Sequence, residues 1–412
     1  MHKTLAICLA LALAPAAAYA DDIVVTGRPL TETERNLRDC IERHCPPDQD
    51  VAATLAHAEN QFVTGDYDGS RATMLASLRR NRRHGDEFPV PVSDLLRANS
   101  RIAEHMGEAQ SFQSSVLGMR DTLRDAFGPD DFRTLVAQIE VGDSRAKLGF
   151  PDEALRIYRD VEENALRLNS NRVATLARLR QALILRVRYE DTHATGLRRD
   201  LLEKLDQVIN NPLPGAQEFS LAAEVIRSKI DRDTGDAAST EALVRRFAQN
   251  GGVDRPLLIY SEPIPRIDTS EGGLQNASAT NAMRRLASSN AVGQWADVGF
   301  WIGADGHVSD IEVLQSDGSQ YWVPRVTENI RKRVYAPLRQ TGDAAPGFYM
   351  IERYTMTARF VDTTTGTRIR RREVTGRIER LDITPDNYAQ PGATTQAVPA
   401  PTASTETPPA AN

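Results

Sequence analysis

From Val51 to about Asn250, apolar residues recur at three- and four-residue spacing, interrupted only by short Gly-, Asp- or Pro-containing breaks. That spacing puts one apolar stripe on an α-helix, so the pattern predicts helix through nearly the whole span. The breaks are themselves periodic. Gly65 in "TGDYDGS", Gly107 in "HMGEAQS" and Gly149 in "KLGFPDEA" stand 42 residues apart, and two more such steps land on Asp191 and on Asp233, beside Gly235. Self-similarity at a fixed period predicts stacked helical hairpins, each burying a face on its neighbour.

The pattern changes after "FAQNGGVDRP". Gly251 and Gly252 break the helices, and Pro256 opens an extended run, "PLLIYSEPIP". Val298, Phe300 and Ile302 then alternate with Gly299 and Trp301, the period of a half-buried strand. Asp305-Gly306 is a tight-turn signal, and alternation resumes through Ile311 and Val313, which together predict a β-hairpin. Val323, Val326, Ile330 and Val334 fall on one helical face with Pro337 beyond it, and "GFYMIERYTMTARFVD" predicts a third long strand.

Both halves resemble known families. In "AKLGFPDEALRIYRDV", Gly149 marks the turn, Ala154 is small and Tyr158 is aromatic, and Gly65, Tyr67, Ser70 and Met74 repeat the arrangement. This resembles the tetratricopeptide (TPR) pattern, with helices longer than the usual repeat; the resemblance implies a solenoid whose concave surface binds protein. Residues 290–362, with Asp305, Gly306, Val308, Ser316, Gly318 and "VYAP" at Val334 to Pro337, resemble the C-terminal domain of the TonB family. The family's opening "P-x-Y-P-x-x-A" segment has no counterpart at the right place, and the stalk is replaced by the helical array. The resemblance implies a final strand, Glu352 to Asp362, that accepts a short peptide as an added strand, with Glu352, Tyr354, Met356, Ala358 and Phe360 along it. An ordinary strand, paired within the domain or with a symmetry mate in a homodimer, is the competing reading. Arg368 to Arg372, "RIRRR", either docks acidic partners or keeps that edge soluble.

The chain ends change the picture of location. His2 and Lys3, an apolar run from Leu5 to Ala18, and Ala18-Tyr19-Ala20 form a cleavable signal peptide over residues 1–20. The expected product is periplasmic, and anchored to the inner membrane only if the leader is retained. "DDIVVTG" then opens the mature chain. Asp22, Ile23, Val24, Val25 and Thr26 resemble the short box that TonB-family domains receive from outer-membrane receptors. The segment pairs in cis, pairs in trans, or is a plain extension; the sequence leaves all three open. Residues 21–50 form an N-terminal extension, residues 51–250 the repeats, residues 255–382 the TonB-like domain, and 383–412 a Pro/Ala/Thr-rich tail expected to be disordered.

Composition narrows the functions. A net charge of −6 and a pI near 5.8 give no whole-protein attraction to nucleic acid. Cys40 and Cys45 in "CIERHCPP" suit a local disulfide in an oxidising compartment, with free thiols the alternative; a metal site with His44 is short of ligands. "RRNRRHG" (Arg79 to Gly85) reads as acid-binding or as a solvated helix end. "SRAK" (Ser144 to Lys147) fits SxxK but lacks its partner motifs, and no HExxH, GxSxG or phosphate-loop pattern occurs. The expectation is an α+β multidomain chain, an all-α TPR-like solenoid followed by a small α+β TonB C-terminal-like domain, with no cofactor, metal or catalytic residue. Its expected role is a non-enzymatic periplasmic adaptor whose partners are envelope proteins, including TonB-dependent receptors or TonB-system components. A membrane-anchored energy transducer and an envelope scaffold without peptide binding are the alternatives.

Overall fold

The computed structural model describes residues 29–264, 267–268, 292–339, 347–362 and 370–384. The box-like segment Asp22 to Thr26, the leader and the Pro-rich tail beyond Thr384 lie outside them; Ile383, expected in the tail, is buried and hydrogen-bonded to Ile351. Eleven helices come first: α1 (Leu30–Glu42), α2 (Pro47–Val63), α3 (Tyr67–Asn81), α4 (Pro89–His105), α5 (Ala109–Phe127), α6 (Phe132–Lys147), α7 (Pro151–Arg167), α8 (Asn171–Thr192), α9 (Thr195–Ile209), α10 (Glu218–Asp233) and α11 (Ala238–Gln249). The 42-residue breaks are the turns inside five hairpins. Gly65, Gly107, Gly149 and Gly235 take positive φ there, a conformation costly for residues with a Cβ. His193 takes the same left-handed conformation at the end of α8.

The helical part begins earlier than residue 51. Thr33, Leu37 and Cys40 recur on one face of α1 and are buried, and Pro47 starts α2 at its first turn. Cys40 and Cys45 are joined by a disulfide, with their Cα atoms 5.2 Å apart, which ties the end of α1 to the loop before α2.

Within a hairpin the small and aromatic positions interlock. On α7, Ala154, Ile157, Tyr158, Val161 and Ala165 form the buried stripe, and the Tyr158 ring lies against Gly142 of α6, where a Cβ would collide with it. Its hydroxyl donates to Asp143 (2.6 Å), which also accepts from Arg180 of α8 (3.0 Å), so one buried carboxylate joins three helices. The first helices of successive hairpins touch directly (α2 with α4, α6 with α8, α8 with α10), while each second helix packs on the next hairpin's first. The stack therefore curves with α2, α4, α6, α8 and α10 on its inner side.

The second part holds strands β1 (Leu258–Tyr260), β2 (Ile267–Asp268), β3 (Trp295–Gly303), β4 (Val308–Asp317), β5 (Val334–Tyr335), β6 (Gly347–Asp362) and β7 (Arg370–Asp382), with helix α12 (Val323–Arg331). Five of them form one antiparallel sheet in the order β2-β7-β6-β3-β4, and β1 pairs with β5. The hairpin and the long third strand stand where alternation places them. Val334 leaves the helical face expected for it, because its backbone pairs with β1 instead. Alternation gives the sheet two buried faces. Val298, Phe300, Ile302, Met350, Tyr354 and Met356 pack on α12, while Trp295, Arg353, Thr355 and Thr357 face the array, meeting α2, α4 and the start of α3.

Candidate binding groove and the array–sheet interface

The C-terminal ends of the inner helices grip the sheet. Arg353, fully buried, donates to Asp297 through Nε (2.6 Å) and Nη2 (2.7 Å) and reaches the carbonyls of Phe62 and Val63 at the end of α2. The Phe62 carbonyl already accepts from the Gly65 N–H (3.0 Å) in the turn that closes α2, so the cation adds a second donor there and meets the negative helix end. The same guanidinium lies 3.9 Å over the Trp295 ring. Trp295 joins the apolar cluster that includes Phe62, Tyr67 and Ile102 at this end of the array, with its ring against the bare Cα of Gly65. Tyr67 and Thr355 share a 2.9 Å hydroxyl hydrogen bond.

One turn further along the array, Thr357 donates to the Glu104 carbonyl (2.6 Å). The Glu104 carboxylate meets Lys147 (2.5 Å) and Arg377 of β7 (3.0 Å). Burial alone would raise its pKa, but the charges of Lys147, Arg377 and Arg101 outweigh this and hold it below the usual carboxylate range. His105 beside it is pushed down to about 4 by burial, which leaves it neutral at pH 7. Lys229 on α10 is lowered to about 7, first by burial and then by Arg186, against the opposing pull of Asp233 and Glu190.

These contacts correct the expected peptide-binding edge. β6 is an interior strand: β3 pairs with it from Gly347 to Thr355, and β7 from Glu352 to Asp362. β7 thus fills the position at which an incoming peptide would add. Glu352, Tyr354, Met356 and Ala358 are at most 4% exposed, and Phe360 packs against the array's core. Glu352 is itself committed, paired with Arg333 (2.7 Å) and Arg380 (3.2 Å), whose charges overcome burial and lower its pKa. Among the arginines of "RRNRRHG", Arg80 clamps the buried Asp50 through Nε and Nη2, both at 2.7 Å. Lys147 of "SRAK" serves the interface.

Among the described residues, the sheet leaves the N-terminal parts of α4, α6 and α8 uncovered. Val90, Leu123, Phe132, Val136, Val173 and Leu176 line a cavity of about 470 Å³ across α4, α5, α6 and α8, within the range of ligand pockets. Phe132, at the first turn of α6, is 60% exposed on its lip. The guanidiniums around it are engaged: Arg97 with Asp94 (2.6 Å) and Glu140 (3.1 Å), Arg133 with Asp131 (2.8 Å), and Arg172 with Glu218 (3.1 Å). An ionic ligand would have to compete with these pairs, whereas an uncharged apolar group gains burial without breaking any. Sequence reasoning missed this groove, although apolar residues directly after the loops, Val90 and Phe132, were its visible signal.

Among the described residues, no helix is long and apolar enough to cross a membrane, and no three His, Cys, Asp or Glu side chains gather as metal ligands. Comparison with protein-family models, curated proteins and solved structures finds no match.

Proposed function

We propose that this chain is a non-enzymatic adaptor of the cell envelope, exported to the periplasm, which binds a partner protein in the open half of its TPR-like groove. The observation that carries the reading is the apolar cavity under Phe132, bordered by arginines already paired with carboxylates. Such a surface rewards burial of apolar anchor side chains from a partner. The TonB C-terminal-like domain serves in this reading as a fixed part of the scaffold, supported by β7 at the edge of β6 and by the array over one sheet face.

A photo-crosslinking residue at Phe132, in cells expressing the full chain, tests this. Discrete protein adducts are expected at Phe132, absent from the same probe at exposed Arg199 on α9, and lost on Leu176→Arg in protein that keeps its helical circular dichroism. Equal labelling at both positions, or none at Phe132, would overturn the proposal.

A further inference from the structure

The sheet has a second long strand whose outer side is open. β4 spans ten residues at the end of the sheet, and among the described residues no strand pairs with it beyond β3. Sheet ends in soluble proteins are commonly blunted by short length, charged side chains, Pro or bulges. β4 is long and lacks Lys and Pro, so bulges and carboxylates are what keep it from pairing with a like edge. It has two bulges, opposite Asp297/Val298 and Gly299/Trp301, which leave Val308–Ser309, Glu312–Val313 and Gln315–Asp317 as its regularly paired pieces. Val313 and Leu314, at its centre, are 42% and 43% exposed.

Charge decides what this edge can take. Asp305, Asp310, Glu312 and Asp317 lie on the strand and its turn, and no Lys or Arg occurs between Gly303 and Val323. None of the four makes an ion pair among the described residues; Glu312 accepts only the Tyr349 hydroxyl (2.6 Å). The carboxylates of the array are handled differently, with Asp50, Glu104, Asp143 and Glu162 each held by a cation. Pairing two β4 strands from two copies would set carboxylates against carboxylates, which works against self-association.

We infer that the outer edge of β4 is a docking site for an extended, basic, β-prone segment of another protein, added as a sixth strand beside Ile311 to Asp317. Main-chain hydrogen bonds supply the pairing, Val313 and Leu314 take apolar side chains, and the carboxylates select lysine or arginine at the alternate positions. This site is separate from the groove on α4, α6 and α8, so either can fail without the other.

The test titrates the full mature chain with the synthetic peptide KVTVKV, blocked at both ends, and follows hydrogen exchange of the β4 amides. Slowed exchange confined to residues 311–317 is expected, with the acidic peptide EVTVEV giving none. KVTPKV, which lacks one main-chain donor, should bind at least several-fold more weakly. The triple variant Asp310→Asn/Glu312→Gln/Asp317→Asn, or 0.5 M salt, should cost about tenfold in affinity. Equal binding of KVTPKV and KVTVKV would reduce the effect to nonspecific charge attraction and overturn the proposal, as would unchanged exchange at millimolar KVTVKV.

Discussion

Replacing Arg353 by methionine removes the group that joins the array to the sheet, and the structure sets the size of the loss. Arg353 and Asp297 are both buried, with N–O distances of 2.6 and 2.7 Å. Unit charges 4 Å apart attract by about 4 kcal/mol at an effective dielectric constant near 20. Removing one partner of a buried pair costs about 3–5 kcal/mol, because the other is left charged and dry. Here Asp297 would retain the Gln315 side-chain amide (2.6 Å), while the Phe62 and Val63 carbonyls would lose a donor. Arg353→Met should therefore cost about 3–5 kcal/mol. Arg353→Met with Asp297→Leu should return at least about 2 kcal/mol of that, since no charge is stranded. Urea denaturation followed by tryptophan fluorescence measures both, and amide exchange at Phe62 to Tyr67 shows whether the opening is local. A single-variant loss below about 1 kcal/mol, or a coupling below about 0.5 kcal/mol in the double-mutant cycle, would refute the buried pair as the interface's main polar tie.

Three further perturbations probe the same architecture. Gly65→Ala places a methyl group against the Trp295 ring at a positive φ, so it should cost about 2–4 kcal/mol by thermal or urea unfolding, and Trp295→Phe in the same chain should relieve part of it. Lys229, with a folded pKa near 7 against an ordinary value of 10.5, is neutral in the fold and protonated in the unfolded chain between those limits. The unfolded state therefore binds the extra proton, and the contribution of Lys229 to stability rises with pH from about 7 to about 10. Lys229→Met should flatten that rise in urea titrations across the window; an unchanged slope would show that Lys229 stays charged among Arg186, Glu190, Asp233 and Arg380. Reduction of the disulfide, or Cys40→Ser with Cys45→Ser, closes no long loop, so its cost should stay at about 2 kcal/mol and appear as faster exchange in α1.

What could be read from the sequence was local. A helical stripe and its glycine breaks lie within one hairpin, and the β3–β4 turn lies within a few residues of the strands it joins, so periodicity reached both. β7 was not legible as a strand of this sheet. "RRREVTGRIERLD" shows charge and a glycine where alternation would show apolar residues, and the reason is in its surroundings. Arg377 and Glu379 face the array and pair with Glu104 and Lys147, so their buried side is ionic. The docking of the two halves was out of reach for the same reason. Arg353 meets the Phe62 carbonyl across 291 residues, and no local pattern encodes that contact.

The interface also limits where a partner can bind. If the sheet left the array, Trp295 would come away from Gly65 and from the cluster it shares with Phe62, Tyr67 and Ile102, and apolar surface of the kind soluble proteins seldom leave uncovered would be exposed on both sides. On the same separation, Glu104 and Lys147 would keep each other, but Asp297 and Arg353 would be opened to water, and the carbonyls of Phe62, Val63 and Glu104 would lose the side-chain donors that the sheet supplies. Opening therefore costs both apolar burial and paired charge, and a ligand that prised the sheet away would have to replace both. A partner that used the free half of the groove or the outer edge of β4 would replace neither. Binding at those two surfaces is thus favoured on energetic grounds over binding at the covered ends of the inner helices.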